Sequence, residues 1–350
     1  NYSHAEGTLT IAAGVASHAE GGGTRATGNY SHAEGFNTIA SGEGSHAEGV
    51  ITTASGYASH AEGYQTTAFG SEGHAEGYQT SATGLYSHSE GAQTTAASDA
   101  AHAEGFGSQA SGLYSHAEGQ QTLSAGLATH AEGQGTMATG NFCHAEGAET
   151  IAYGESSHAE GSFTTAYGLA SHTEGYQTST TGDYAHAEGW ATSAAGRASH
   201  ACGVYSYAVG DGSFAGGFGD PGVSLTYNSG VGSFSYGRSL YNKNNNAVLI
   251  GLRSNSKNLS AGANTIQGEG SLQIGGGNSD LFDPTGVGYG SQGVGVIIGT
   301  QTYGFPPTAG GVANFWNTTG ADYAEYFEWL NGAPSEDYTA MFVKLVGDKI

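Results

Sequence analysis

Residues 3–16 read SHAEGTLTIAAGVA and residues 17–30 read SHAEGGGTRATGNY, so the chain repeats with a period of fourteen. All 15 histidines of the 350-residue chain fall on this period, from His4 to His200. The glycine three positions after each of these histidines is present in every copy, beginning with Gly7. Such regularity indicates a repeat architecture for the whole segment.

Each repeat contains two short stretches with period-two patterning, SHAEG and TxAxG, and a variable pair of residues follows each stretch. Period-two patterning bounded by glycine predicts strands and turns, not helices. Two strands and two turns in fourteen residues make one coil of a parallel β-solenoid, whose coils stack about 4.8 Å apart. The sequence therefore predicts an all-β fold with fourteen residues per coil and a rod of about 70 Å.

The alternation of side chains along a strand predicts which residues face the interior. Ser3, Ala5 and Gly7 are expected on the inner face of the first strand, with His4 and Glu6 on its outer face. The second strand repeats this arrangement, with small residues inside and an outer face that differs from coil to coil. The interior is therefore expected to be thin and built from small side chains.

One outer face repeats histidine and glutamate in nearly every coil, and we call these residues the His/Glu ladder. A face that repeats in register is expected to pack against something with the same repeat, most simply another copy of the chain around an axis parallel to the rod. The sequence therefore predicts a parallel homo-oligomer with this face at its axis. The ladder residues are His4, Glu6, His18, Glu20, His32, Glu34, His46, Glu48, His60, Glu62, His74, Glu76, His88, Glu90, His102, Glu104, His116, Glu118, His130, Glu132, His144, Glu146, His158, Glu160, His172, Glu174, His186, Glu188 and His200.

Three chemical roles for this ladder were compared. Buried charges are tolerated when they are paired and hydrogen-bonded, and the pattern provides a partner for nearly every one. Three histidines around an axis resemble a zinc site, but dications at every coil would repel one another strongly. The H-x-E pattern also occurs in zinc deaminases, whose PCxxC motif is missing from this sequence. We therefore expect a structural ladder with no metal and no cofactor.

The composition excludes several classes of partner. The formal net charge is −23 with only 8 lysines and arginines, so the chain lacks the clustered cations that hold a phosphate backbone. No apolar run approaches the roughly 20 residues of a membrane-spanning helix. We therefore expect neither nucleic-acid binding nor membrane insertion.

Cys143 and Cys202 fall on different faces of the predicted coil, so both are expected to be free thiols.

The pattern SxAxGxx(T/S)xAxG resembles the head repeat of the YadA-like trimeric autotransporter adhesins, over residues 1–217. This resemblance implies a left-handed parallel β-roll that assembles as a trimer. The outward positions of the first strand are typically Val and Ile in that family, whereas they are His and Glu here. The resemblance therefore predicts the fold, while the chemistry of the axis has to be argued from the residues of this chain.

The axial positions change character near the end of the repeats. Residues 218–300 are expected to contain degenerate coils and loops around an apolar axis, which would act as a dry clamp because apolar burial stabilises each coil more. The residues predicted for this apolar axial clamp are Phe214, Phe234, Tyr236, Val248, Ile250, Leu272 and Ile274.

The period is lost in residues 301–350, which we expect to form an irregular β segment. Residues 317–329 and 342–350 resemble the start of the peptidase G2 domain, the self-cleaving intramolecular chaperone of phage appendage and tail-spike proteins. The resemblance implies that this domain trimerises, templates the solenoid and then cuts itself off. It implies cleavage between Ala321 and Asp322, with Asp322 and Glu325 as the catalytic carboxylates. Without the resemblance, both would be interpreted as solvated carboxylates.

The sequence predicts the structural shaft of a bacteriophage fibre or appendage, located on the virion and used in host-surface attachment. No enzymatic activity is expected apart from single-turnover self-cleavage. The alternatives are a bacterial cell-surface or spore-filament trimeric adhesin and a glycan-cleaving tail spike. The expected partners are further copies of the chain, a host-cell receptor or glycan, and other fibre or virion proteins.

Overall fold

The computed structural model describes residues 2–219 and 225–252, together with the backbone of the strands Leu272–Gly275 and Val296–Ile298. These residues form a parallel β-solenoid of about 17 turns, with no helix in the described part of the chain. The predicted all-β solenoid with fourteen residues per coil is confirmed, since His4 pairs with His18 and His18 with His32 in register.

The first strand of every coil joins one long parallel sheet, in which equivalent residues of successive coils are paired. A final strand, Val296–Ile298, pairs antiparallel with the strand before it. The parallel strands are His4–Thr8, His18–Gly22, His32–Phe36, His46–Val50, His60–Tyr64, His74–Tyr78, His88–Ser89, His102–Ala103, His116–Gln120, His130–Gln134, His144–Ala148, His158–Ser162, His172–Thr173, His186–Ala187, His200–Ala201, Phe214–Phe218, Phe234–Arg238, Val248–Leu252 and Leu272–Gly275.

The second strand of every coil forms a facing sheet of shorter strands with the same register. These strands are Ile11–Ala12, Arg25–Ala26, Ile39–Ala40, Thr53–Ala54, Thr67–Ala68, Ser81–Ala82, Thr95–Ala96, Gln109–Ala110, Leu123–Ser124, Met137–Ala138, Ile151–Ala152, Thr165–Ala166, Ser179–Thr180, Ser193–Ala194, Ser206–Ala208, Thr226–Asn228 and Tyr241–Asn242.

The interior between the two sheets is made of small side chains, as predicted. Ala117 and Ala110, one from each sheet, have no exposed surface, and equivalent alanines form two columns along the rod. The inward hydroxyls are also buried, and Ser115 Oγ donates to the carbonyl oxygen of Gly112 at 2.6 Å. Because alanine buries little apolar area, the inter-coil backbone hydrogen bonds carry a large share of the cohesion.

The first-strand glycines do not line the interior, so the prediction for Gly7 and its equivalents is wrong. Gly119 is exposed and has a φ of +106°, and this turn of the backbone ends the alternation at the strand's last residues. A Cβ on Gly119 would lie 2.2 Å from the carbonyl oxygen of Gly133 in the next coil. Glycine is required here because the coils stack too closely for any side chain.

Each turn between strands contains a residue with left-handed backbone, and many of these residues are not glycine. Gln121 and Ala128 have φ values of 54° and 51° within a single coil. Asparagine and aspartate side chains also connect successive turns, and Asn141 Oδ1 accepts a hydrogen bond from the backbone N–H of Leu127 at 3.0 Å. The turns are therefore held by coil-to-coil contacts as well as by local conformation.

Candidate functional site: the His/Glu ladder

The ladder histidines form a continuous stack along the first sheet. Successive rings from His18 to His186 have centroids 4.7–4.9 Å apart and are nearly parallel, as between His116 and His130, where the planes differ by 1°. The stack tilts at both ends, by 48° at His4 and by 38° at His200. The in-register strands place each ring directly over the equivalent ring of the neighbouring coil.

The glutamates pair with histidines across coils. Nε2 of His130 lies 3.3 Å from Oε1 of Glu118 in the preceding coil, but 4.0 Å from Oε2 of Glu132 in its own coil. From His60 to His200 these cross-coil N–O distances run from 3.3 to 3.9 Å. From His60 onward the ladder is therefore a chain of contacts between successive coils, whereas His18 and His32 contact the glutamate of their own coil.

The ladder is only half-covered in the single chain. The His130 side chain is 36% exposed and the Glu118 side chain 31% exposed. A groove of about 720 Å³ runs beside the stack from Glu104 to Gly175, lined by the ladder glutamates and the first-strand glycines. The groove floor is open glycine backbone, so another chain or a small ligand can approach the carboxylates closely.

Five histidines of the stack have a lowered pKa. Burial, followed by the neighbouring His102 and His130, lowers the pKa of His116, and Glu118 and Glu104 oppose this shift. The same causes lower the pKa of four further ladder histidines, His46, His74, His144 and His186. Closely stacked imidazoles disfavour a second positive charge. In these five histidines the lowered pKa favours the neutral ring.

The carboxylate at the end of the ladder behaves differently. Burial alone would raise the pKa of Glu188, but hydrogen bonds with Glu174 and His200 lower it. Oε1 of Glu188 lies 3.4 Å from Nε2 of His200. The next residue in the glutamate column is Cys202, and burial, reinforced by Glu188, raises the pKa of this thiol. The ladder thus ends in a close contact between Glu188 and His200, followed by the Cys202 thiol.

The predicted clamp continues the ladder columns in register. Phe214 pairs with His200, and its ring stacks on Phe234 at 4.7 Å. Tyr236 and Ile250 extend the glutamate column and are 51% and 37% exposed. Val248 follows Phe234 in the histidine column. Leu272 and Ile274 pair with Val248 and Ile250 through the backbone, while their side chains lie outside the described residues.

The other sequence predictions have mixed outcomes. Cys143 and Cys202 are free thiols, as expected, and burial raises the pKa of Cys143 to about 11. Ala321, Asp322 and Glu325 lie outside the described residues, so self-cleavage stays a prediction. The domain boundaries after residues 217 and 300 also stay predictions. Within the described residues there is no helix long and apolar enough to cross a membrane.

Two features of the surface emerge only from the structure. The ladder offers groups of three metal-ligating atoms within 4.8 Å of one another, such as those of His74, Glu76 and His88. Some exposed aromatic residues stack between adjacent coils, as Tyr64 does on Tyr78 at 5.3 Å and Tyr153 on Tyr167 at 5.0 Å. The fourteen-residue spacing could have indicated both features in the sequence, because it places equivalent residues of successive coils in contact.

Neither a scan against protein-family models nor a search of curated proteins finds a match to this chain. The structure supports a β-roll repeat, and the resemblances to YadA-like heads and to peptidase G2 stay predictions from the sequence.

Proposed function

We propose that the chain forms the shaft of a trimeric extracellular fibre, in which three His/Glu ladders face a common axis. The observation that carries this proposal is the contrast between the two outer faces. The ladder repeats from coil to coil although its side chains are half-exposed in the single chain, whereas the opposite face varies. Solvent alone does not require a repeated pattern, but a symmetric partner in the same register does.

The clamp residues support the same face as the interface. Tyr236 and Ile250 continue the ladder columns and expose large apolar side chains. Contiguous exposed apolar surface marks an interaction site more often than a solvated one. A trimer around the ladder would bury these residues at the axis, next to Phe214 and Phe234.

We further propose that the fibre is a bacteriophage appendage used in host-surface attachment, on the basis of the peptidase G2 resemblance in residues 317–350. A bacterial surface or spore-filament adhesin is the alternative that shares the same shaft. A glycan-cleaving spike is less well supported, because glycosidases need two carboxylates in distinct environments. The groove from Glu104 to Gly175 presents the same Glu–Gly pair in every coil.

Sedimentation equilibrium tests the assembly. The chain mass is 35.2 kDa, so a trimer has three times that value, about 106 kDa. The ladder variant His116→Lys with His130→Lys places like charges at the proposed axis and is expected to sediment as a single chain. The control Leu123→Lys with Met137→Lys adds the same charges to the opposite face of the same region and is expected to remain trimeric. A monomeric parent chain, or equal behaviour of the two variants, contradicts the proposal.

A further inference from the structure

We propose that the His/Glu ladder binds divalent transition-metal ions, with Zn²⁺ as the reference ion, at one ion for every two coils. The proposal concerns each single chain and does not depend on trimer formation. It rests on the distances between ligand atoms, on ring nitrogens that have no hydrogen-bond partner and on the sharing of histidines between adjacent sites.

The ligand atoms are already at the separation that a metal requires. Zinc bonds of about 2.0–2.1 Å in tetrahedral geometry place two ligand atoms roughly 3.4 Å apart. The distance from His88 Nε2 to Glu76 Oε1 is 3.3 Å, and the pair His172 and Glu160 has the same value. His74 supplies a third ligand atom within 4.8 Å of the other two and can close the site by a small ring movement. Because the side chains are half-exposed, water can complete the coordination.

Nε2 of His88 and His172 forms a hydrogen bond with the facing glutamate, whereas Nε2 of several other ladder histidines has no hydrogen-bond partner in the described chain. Nε2 of His74, His116 and His144 is buried without a hydrogen bond, although each faces a glutamate carboxylate. Imidazole and carboxylate together are a ligand set suited to zinc.

Adjacent sites share a histidine, and this sets the stoichiometry. One group consists of His74, Glu76 and His88, and the next consists of His88, Glu90 and His102. His88 cannot use the same nitrogen for two ions, so neighbouring groups are filled alternately. Charge balance gives the same stoichiometry of one ion for every two coils, because two glutamate carboxylates neutralise one dication. Alternate filling also doubles the 4.8 Å coil spacing between ions, which relieves the repulsion expected from an ion at every coil.

The fourteen ladder glutamates therefore predict seven ions per chain, from fourteen divided by two. The chain is stripped with a chelator and dialysed against buffered Zn²⁺, and bound zinc is counted by plasma mass spectrometry. Saturation at six to eight ions per chain is the expected result. Any other number overturns the proposal, including none, one or two ions, or an ion at every coil.

Variants locate the ions. Replacing His116, His130, His144 and His158 by Gln removes the histidines of four coils and is expected to reduce the count by about two. The matched control places Gln at Leu123, Met137, Ile151 and Thr165 on the opposite sheet and is expected to retain all the ions. Equal counts in the two variants would place the metal elsewhere and overturn the proposal.

Cobalt gives a test that needs no variant. Co²⁺ titrated into the stripped parent chain is expected to produce visible absorption bands of nitrogen and oxygen coordination, with an end point at the zinc stoichiometry. A spectrum identical to that of aqueous Co²⁺ means that the histidines do not bind the ion, and this also overturns the proposal.

Discussion

The substitution Gly119→Ala tests whether the close stacking of coils requires the first-strand glycine. The new Cβ would lie 2.2 Å from the Gly133 carbonyl oxygen, whereas real Cβ contacts are essentially never shorter than 3.0 Å. The strands His116–Gln120 and His130–Gln134 would have to separate locally by the difference, 0.8 Å. An inter-coil hydrogen bond of 2.9 Å, such as that from His116 N to Thr129 O, does not survive such a displacement.

The expected loss of unfolding free energy follows from the inter-coil hydrogen bonds that break and from the backbone strain at residue 119. Roughly three hydrogen bonds of about 1 kcal/mol each are lost, and alanine at a φ of +106° adds about 1–2 kcal/mol of backbone strain. The free energy of unfolding should therefore fall by about 4 kcal/mol. The control Gly107→Ala has a φ of +69° and a Cβ 3.5 Å from the Gln121 side chain, so it should cost only about 1 kcal/mol.

Chemical denaturation followed by circular dichroism measures the loss, and hydrogen exchange of peptides covering residues 112–140 locates it. Since each coil contacts only its neighbours, exchange should increase around Gly119 and Gly133 and remain low at distant coils. The reasoning is refuted if Gly119→Ala unfolds at the same denaturant concentration as Gly107→Ala.

Three further predictions concern the strained turns, the pH dependence of stability and self-cleavage. Ala128→Gly relieves the strain of left-handed backbone at a φ of 51° and should raise the free energy of unfolding by about 0.5–1 kcal/mol in denaturation curves. The control Ala125→Gly has no such strain to relieve and should lower the free energy of unfolding by a similar amount. The pKa values of His46, His74, His116, His144 and His186 are lowered in the folded chain, so the unfolded chain takes up protons first; stability is full above pH 6.5 and falls as the pH drops from 6.5 toward the folded-state pKa, and equal thermal midpoints on both sides of pH 6.5 would contradict this. The intact mass of the denatured product should correspond to a chain that ends at Ala321, and the Glu325→Ala variant should remain uncleaved; a single uncleaved mass for the parent would exclude self-cleavage.

Much of the fold could be predicted because the repeat is long and its period is unambiguous. The fourteen-residue register from His4 to His200, the inward Ala117 and Ala110, and the continuation of the columns into Phe214 and Phe234 all follow from period-two alternation and stacking. The glycine series was misplaced because alternation assumes extended backbone throughout the strand. The positive φ at Gly119 breaks that assumption at the strand end.

The direction of the His/Glu contacts could not be predicted from residue spacing alone. His130 and Glu132 are neighbours on one strand face, yet the shorter contact of His130 is with Glu118 in the preceding coil. The side chains lean along the rod, and their rotamers decide between two carboxylates that the sequence makes equivalent. The same lean brings His74, Glu76 and His88 together, so the metal-ligating groups also depended on side-chain geometry.

The ladder is not needed to build the coil, and this is the strongest reason to assign it a role outside the chain. Backbone pairing continues in register from His200 to Phe214 and on to Phe234 and Val248, although both ladder residue types are replaced. In the ladder coils the interior is closed by alanine, serine and threonine, and in the coils beyond them Asn228, Asn242, Leu240 and Leu249 are also buried. His repeats over fifteen coils and Glu over fourteen, although the backbone pairing continues in register without them. A symmetric copy in the same register would explain this repetition, and so would metal ions bound along the ladder; sedimentation of the parent chain tests the first explanation, and ion counting tests the second.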